Sequence, residues 1–260
     1  MALEPGLHAA LRALASTPRL LIALDFDGTL APLVERAEDA RALPVSAAAV
    51  RALAELPDTT TALISGRALD SLREVAAPPA AALLIGSHGA ETWTGPGGAP
   101  LALAPEQADL LASAVDAVER VVAAHAGTRI EFKPAGVVLH TRTAADDVAD
   151  AAVAAAREHL APLEGLTITD GKRVLEISVL QADKGQGLAL LREITGATAV
   201  LFAGDDVTDE HAQRTLGPDD LGIRIGAGET AASFTVAAPE DFAEVLVELV
   251  ALRGSRAPGR

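Results

Sequence analysis

A series of short apolar runs, each halted by Gly, Asp or Ser, constrains this chain more than any other feature. They occupy residues 20–24 before Asp25, 60–64 before Ser65, 81–85 before Gly86, 199–203 before Gly204 and 221–225 before Gly226. Uninterrupted apolar runs of this length fit parallel strands buried on both faces. Helical patterns lie between several of them, at 46–56, 68–75, 184–194 and 208–216. A last helical face carries Phe242, Val245, Leu246 and Leu249. Strands alternating with helices predict an α/β fold with a doubly wound, mostly parallel, Rossmann-like core sheet.

The middle of the chain breaks that rhythm. Residues 95–100 read GPGGAP, a hinge or linker pattern. A helix with Leu110, Leu111, Ala114, Val115, Val118, Val121 and Val122 on one face follows, then strands at 129–133 and 137–142. A second helix at 144–160 and strands at 166–169 and 173–179 complete the segment, with Asp170 and Gly171 as a two-residue hairpin signal. The order predicts an α+β cap domain, 103–178, inserted into a discontinuous core of 1–102 and 179–260. The closing residues, 253–260, read as a frayed tail.

Composition excludes whole classes of function. Lys plus Arg is 21 and Asp plus Glu is 36, a formal net charge of −15. That balance, with 2% aromatics, opposes a nucleic-acid surface built on basic clusters and stacking. No cysteine is present, which removes disulfides and Cys-ligated metal sites. No apolar run approaches the roughly 18–20 residues of a membrane span, and no signal-peptide pattern opens the chain. The expectation is a cytoplasmic protein with neither nucleic acid nor membrane as partner. The histidines form no i, i+4 pair, and Gly226 to Gly228 is a lone G-x-G, too weak for a dinucleotide site.

The strand ends carry the chemistry. Asp25 and Asp27 sit two apart, so an extended backbone points both to one side, at the crevice where open α/β sheets bind ligands. Two carboxylates there repel unless a cation lies between them. Ser65, Gly66 and Arg67 end the second strand, a hydroxyl and free N–H groups suited to an anion. Asp183 and Gln186 are spaced as a capping box, which puts Lys184 in a helix's first turn, where the dipole disfavours a cation unless an anion accompanies it. Asp205, Asp206, Asp209 and Glu210 follow the fourth strand, oxygen ligands of the kind Mg2+ takes. Asp205 is expected to ligate, Asp206 is a further candidate, and the later acids read as structural. Each piece alone also reads as a solvated turn, a capped helix start, an exposed lysine or an acidic loop.

In this order the D-x-D, S-G-R, Lys and G-D-D-x-x-D-E elements resemble the haloacid-dehalogenase-like phosphotransferases. The resemblance implies that Asp25 is a nucleophile forming an aspartyl-phosphate and Asp27 the general acid, then general base. It implies that Ser65 and Lys184 hold phosphoryl oxygens, with Arg67 a substrate-binding candidate beside them. Mg2+ would be held by Asp25, the backbone carbonyl of Asp27 and Asp205. GSHGAE at 86–91, E-x-K at Glu131 and Lys133, H-x-R at His140 and Arg142, Gly171–Lys172, and Glu176–Ile177 narrow the resemblance to the trehalose-6-phosphate phosphatases. It spans about residues 20–236.

That family implies hydrolysis of trehalose 6-phosphate to trehalose and phosphate, the last step of trehalose biosynthesis. It also implies a mobile cap that puts Glu131, Lys133 and Glu176 against the sugar, with His88, His140 and Arg142 as further candidates. Alternation would turn Phe132 the other way, toward the helices of the insert. A sugar phosphate is the implied substrate and a trehalose-6-phosphate synthase a candidate partner. Thr141 replaces the aromatic more usual in H-x-R, and Ser178–Val179 replaces a frequent Arg-Pro pair. The rivals are a related capped sugar phosphatase or phosphohexomutase, and an inactive sugar-phosphate sensor.

Overall fold

A computed structural model describes residues 3–95, 103–171, 173–180 and 183–255. The GPGGAP segment beyond Gly95, Lys172 and the tail from 256 lie outside the described residues. The chain forms two compact units, Met1–Pro100 with Ala182–Arg260, and Leu101–Gln181.

In chain order the first part holds α1 (Pro5–Ala15), β1 (Leu20–Leu24), α2 (Pro44–Ala54), β2 (Thr59–Ile64), α3 (Leu69–Ala76), β3 (Leu83–Gly86) and β4 (Glu91–Trp93). The second unit follows with α4 (Pro105–Ala124), β5 (Arg129–Lys133), β6 (Gly136–His140), α5 (Asp146–Leu160), β7 (Thr167–Gly171) and β8 (Val174–Ser178). The chain then returns with α6 (Lys184–Thr195), β9 (Ala199–Gly204), α7 (Asp209–Gln213), β10 (Leu221–Ile225), β11 (Phe234–Val236) and α8 (Pro239–Gly254).

The first unit is built on a seven-stranded sheet in the order β11-β10-β9-β1-β2-β3-β4. All pairs are parallel except β3 with β4, so the expected doubly wound α/β core is present. Every residue of β1 is buried, and its side chains alternate between two cores. Leu20, Ile22 and Leu24 pack with Leu11, Leu53, Leu72 and Phe242 from α1, α2, α3 and α8. Leu21 and Ala23 face Leu188 and Leu191 of α6 and Ala212 of α7. A strand buried on both faces cannot alternate in polarity, which is why these strands read as continuous apolar runs.

Several local expectations are corrected. The helix expected over 208–216 stops at Gln213, and the chain tightens into i+3 turns, Thr215 N–H to the Ala212 carbonyl and Leu216 N–H to that of Gln213. The helix ending the chain runs to Gly254, so Arg253 is not frayed. Its buried guanidinium donates to the carbonyls of Ala15 (2.9 Å), Thr17 (2.5 Å) and Asp58 (2.7 Å) and to Thr59 Oγ1 (3.1 Å). α1 starts at Pro5 behind Glu4, whose carboxylate accepts from Gly6 N–H and Leu7 N–H.

The second unit is an antiparallel sheet, β5-β6-β8-β7, with α4 and α5 on one face. Val137, Leu139, Leu175 and Ile177 pack there with Ala114, Val118, Val121, Ala152 and Ala156. The hairpin turn lies one pair beyond its expected place. Asp170 pairs with Leu175 and Gly171 with Val174, while Arg173 takes φ 65°. The Asp170 carboxylate accepts from Arg157 at 2.6 Å and so is engaged away from the turn. Phe132 pairs with Val137 on the helix face, but it stays 61% exposed instead of packing against the helices. Among the described residues no helix is long and apolar enough to cross a membrane.

Candidate active site

β1 is central, with β2 on one side and β9 on the other. The chain leaves β1 toward β2 and returns to β9, which makes the carboxyl end of β1 a topological switch point, the usual ligand crevice of such sheets. Asp25 follows β1 directly, its N–H donating to the Ala203 carbonyl at 2.9 Å. Phe26 turns into the core and is fully buried, which leaves Asp25 and Asp27 on the opposite side of the backbone. Gly28 then closes the loop at φ 80°, donating to the Ala31 carbonyl at 2.8 Å.

Lys184 opens α6 behind Asp183, whose carboxylate accepts from Gln186 N–H at 2.8 Å. The Lys184 side chain is 1% exposed as a residue, and its Nζ donates to Asp25 Oδ1 and Asp209 Oδ1, both at 2.7 Å. Asp209, the first residue of α7, is equally buried. Its Oδ2 accepts from the N–H groups of Asp205 and Asp206, at 3.0 Å each. Gly204 leaves room for this carboxylate, since a Cβ there would lie 2.1 Å from Asp209 Cγ.

Asp25, Asp205 and Asp209 each offer a carboxylate oxygen within 4.8 Å of the others. Burial, together with neighbouring carboxylates, pushes Asp25 and Asp205 up to about 6. Burial and the charge of Asp25 push Asp209 up to about 8. Burial works to lower the Lys184 ammonium, but Asp25 and Asp209 outweigh it and hold it well above the usual lysine range. Asp25 Oδ2 is buried and has no hydrogen-bond partner among the described residues. An orphaned carboxylate oxygen among crowded acids fits a hard dication such as Mg2+, which takes oxygen ligands and keeps waters.

The other expected site residues are placed as follows. Ser65 follows β2, buried, and its Oγ accepts from Arg67 N–H at 3.1 Å. Arg67, expected against substrate, donates from Nε and Nη2 to the two oxygens of Asp27, each at 2.6 Å. The Asp206 carboxylate accepts from Thr208 Oγ1 at 2.7 Å and Asp209 N–H at 2.9 Å, outside the group of three acids. Burial would raise Asp206, but Lys184 and these hydrogen bonds bring it down to about 2. Glu210 accepts from Arg224 Nη1 at 3.0 Å and Ala231 N–H at 2.8 Å, which ties the loop after β10 to α7. His88 lies in a 3-10 turn, Ser87–Gly89, after β3.

The second unit gathers four of the remaining residues on the sheet face opposite its helices. Glu131 pairs across the sheet with Val138, and Val138 with Glu176. His140 Nε2 lies 2.7 Å from Glu131 Oε2, and Lys133 Nζ donates to Glu176 Oε1 at 3.5 Å. Arg142 follows β6 in an exposed turn.

Asp209, expected among the structural acids, is the second partner of Lys184. In sequence it looks like any acid in a helix's first turn. The one signal was Gly204, which leaves space for its side chain.

A sequence profile of the trehalose-phosphatase family matches residues 23–240. An uncharacterized glycosyl hydrolase of Mycobacterium tuberculosis is 33% identical over 93% of this chain and 19% of that protein. A trehalose-phosphate phosphatase of Mycobacterium marinum is 31% identical over 88% of this chain and 61% of that protein. This chain therefore spans less than two thirds of the length of these relatives. The C-terminal domain of the Candida albicans trehalose-6-phosphate phosphatase has the same fold, with a TM-score of 0.72 at 20% identity, covering 95% of this chain and 97% of that one.

Proposed function

The chain belongs to the trehalose-phosphatase family, and from that premise we propose that it hydrolyses trehalose 6-phosphate to trehalose and phosphate by transferring the phosphoryl group to Asp25. The carrying observation is the Asp25 carboxylate itself. Lys184 pins one oxygen at 2.7 Å, and the other is buried without a partner among the described residues. A nucleophile held by one oxygen has its attacking lone pairs oriented before substrate arrives.

Asp25 Oδ2 attacks phosphorus, and the bond to the sugar oxygen breaks. Asp27 gives its proton to that oxygen and trehalose leaves. Asp27 then takes a proton from water, whose oxygen attacks the phosphorus of the aspartyl-phosphate and frees Asp25 and phosphate. The Ser65 hydroxyl and the adjoining backbone N–H groups hold phosphoryl oxygens, while Lys184 balances the charge at Asp25. Asp25, the Asp27 carbonyl and Asp205 would hold Mg2+, with Asp209 adjacent. Bound there, the ion would supply positive charge to the phosphoryl oxygens in addition to that of Lys184.

Glu131, Lys133 and Glu176 of the second unit hydrogen-bond the sugar hydroxyls, with His88, His140 and Arg142 as further contacts. A trehalose-6-phosphate synthase is the partner that would supply the substrate. The test is phosphate release across a panel of sugar phosphates with Mg2+ present. The expected result is strong preference for trehalose 6-phosphate and no turnover by Asp25→Asn. Substantial turnover by folded Asp25→Asn would remove Asp25 as nucleophile, and preference for another sugar phosphate would remove the substrate assignment.

A further inference from the structure

The GSHGAE turn after β3 has no part in the chemistry above beyond its histidine, and Arg67 faces an aspartate. Both facts have one explanation. We propose that Arg67 is a positioning residue that acts through Asp27, and that Glu91 holds Arg67 in place from behind. The proposal rests on Asp27 being the acid and base of the phosphatase reaction.

The Arg67 side chain is 11% exposed and engaged at every nitrogen. Nε and Nη2 take the two Asp27 oxygens at 2.6 Å, and Nη1 donates to Ser71 Oγ at 3.4 Å. The guanidinium also lies over the Phe26 ring, 5.6 Å from its centroid. A two-pronged guanidinium contact fixes the plane of a carboxylate as well as its distance. Each carboxylate oxygen keeps a second lone pair, so Asp27 can be clamped and still exchange a proton with the sugar oxygen or with water.

The clamp needs a rigid base, and Ser65 together with the turn after β3 provides one at three points. The Ser65 hydroxyl accepts from Arg67 N–H. The Arg67 carbonyl accepts from Ser87 N–H at 2.7 Å. Leu69 N–H, at the start of α3, donates to Glu91 Oε2 at 3.3 Å, an acceptor that the methyl side chain of the N-cap residue Ala68 does not offer. The other Glu91 oxygen, Oε1, accepts from Ser87 Oγ at 2.5 Å. Ser87 is itself held at φ 47°, a conformation that costs a non-glycine residue free energy and persists only where surroundings enforce it. Gly86 permits the approach, since a Cβ there would lie 2.8 Å from the Arg67 carbonyl oxygen. Ser65 thus holds the backbone on the amino side of Arg67, Ser87 and Glu91 hold it on the carboxyl side, and Arg67 fixes Asp27.

The test is a double-mutant cycle on the full chain, with Arg67→Gln and Glu91→Gln each made alone and with Asp27→Asn. Arg67→Gln should lower kcat for trehalose 6-phosphate by about 10–100-fold with KM within about twofold, the pattern of a misplaced catalytic group. Glu91→Gln should lower it in the same sense and by less. In the Asp27→Asn background both should change the residual kcat less than about twofold, because the group they position is gone. A rise in KM with kcat unchanged, or the same loss of kcat in both backgrounds, overturns the proposal and leaves the phosphatase assignment standing. A crystal structure of Arg67→Gln supplies a readout independent of activity. Asp27 should leave its present rotamer, and an unmoved Asp27 overturns the proposal even if the wild-type chain releases no phosphate from any sugar phosphate, the result that would sink the functional assignment instead.

Discussion

A Cβ on Gly28 would lie 2.0 Å from Asp205 Oδ2, so the turn after the D-x-D pair is closed by a glycine because an acid from the neighbouring strand end occupies the space of a side chain. The backbone at Gly28 also has φ 80°, which L-residues seldom adopt. Gly28→Ala therefore has to move Asp205 or the loop carrying Asp27. Phosphatase activity should fall by at least about a hundredfold, and half-activation should need much more Mg2+. A Mg2+ titration of phosphate release checks this, with the melting temperature as the folding control. An unchanged titration would mean that Asp205 takes no part in holding the ion.

Lys184→Met should cost far more stability than a surface lysine. The ammonium is the shared partner of Asp25 and Asp209, and its loss leaves two buried carboxylates facing each other. Breaking a buried pair from one side costs about 3–5 kcal/mol. The double variant Lys184→Met with Asp209→Asn should recover part of that loss without recovering activity. Denaturant unfolding of both proteins decides the point, and equal stability of the two would show that Asp209 is not strained by the missing cation.

The sheet and the crevice at its strand ends were legible because strands buried on both faces must be apolar throughout, and each such run ended at a residue with chemistry or a glycine. Asp25 and Asp205 were singled out by that placement, and Lys184 by its position in the first turn of a capped helix. Short edge strands such as β4 and β11 lack the pattern: three residues cannot show a period, and Thr92 and Thr235 look like loop. The partner of Arg67 was illegible for another reason. Asp27 is forty residues away in sequence, and a long side chain at a strand end can reach substrate or a neighbouring acid with equal ease. Arg253 shows the same limit, because Gly, Ser and Pro around it suggested a tail while its acceptors are backbone carbonyls that carry no sequence signal.

Stability of the chain without added metal should fall as pH rises from about 5 to 8. Asp25 and Asp205 are pushed up to about 6 and Asp209 to about 8, from the ordinary aspartate value of 3.8. Over that interval the folded chain binds more protons than the unfolded one, so the slope of unfolding free energy against pH is negative. Mg2+ binds the ionised carboxylates and should reverse the trend, raising the melting temperature most at the alkaline end. Thermal melts across pH with EDTA and with Mg2+ test both signs. Parallel curves would mean that these three acids do not share an ion.

The charged face of the second unit carries the last prediction. Glu131, Lys133 and Glu176 stand on one side of its sheet, Lys133 3.5 Å from Glu176 and Glu131 2.7 Å from His140. Half-buried surface pairs at these distances contribute up to about 1 kcal/mol to stability, so replacing any of the three with Ala should lower the melting temperature only slightly. If the same groups bind sugar hydroxyls, each removal deletes a charged hydrogen bond of roughly 1.5–3 kcal/mol, or about 10–100-fold in kcat/KM for trehalose 6-phosphate. Binding energy from the non-reacting sugar positions the phosphate for Asp25, so part of the loss should appear in kcat. A small aryl phosphate has no sugar to hold, and its hydrolysis should change little. Equal losses on the two substrates would instead point to a disturbed catalytic core. No loss on either would show that these residues only solvate a sheet face, and the sugar would then be recognised elsewhere.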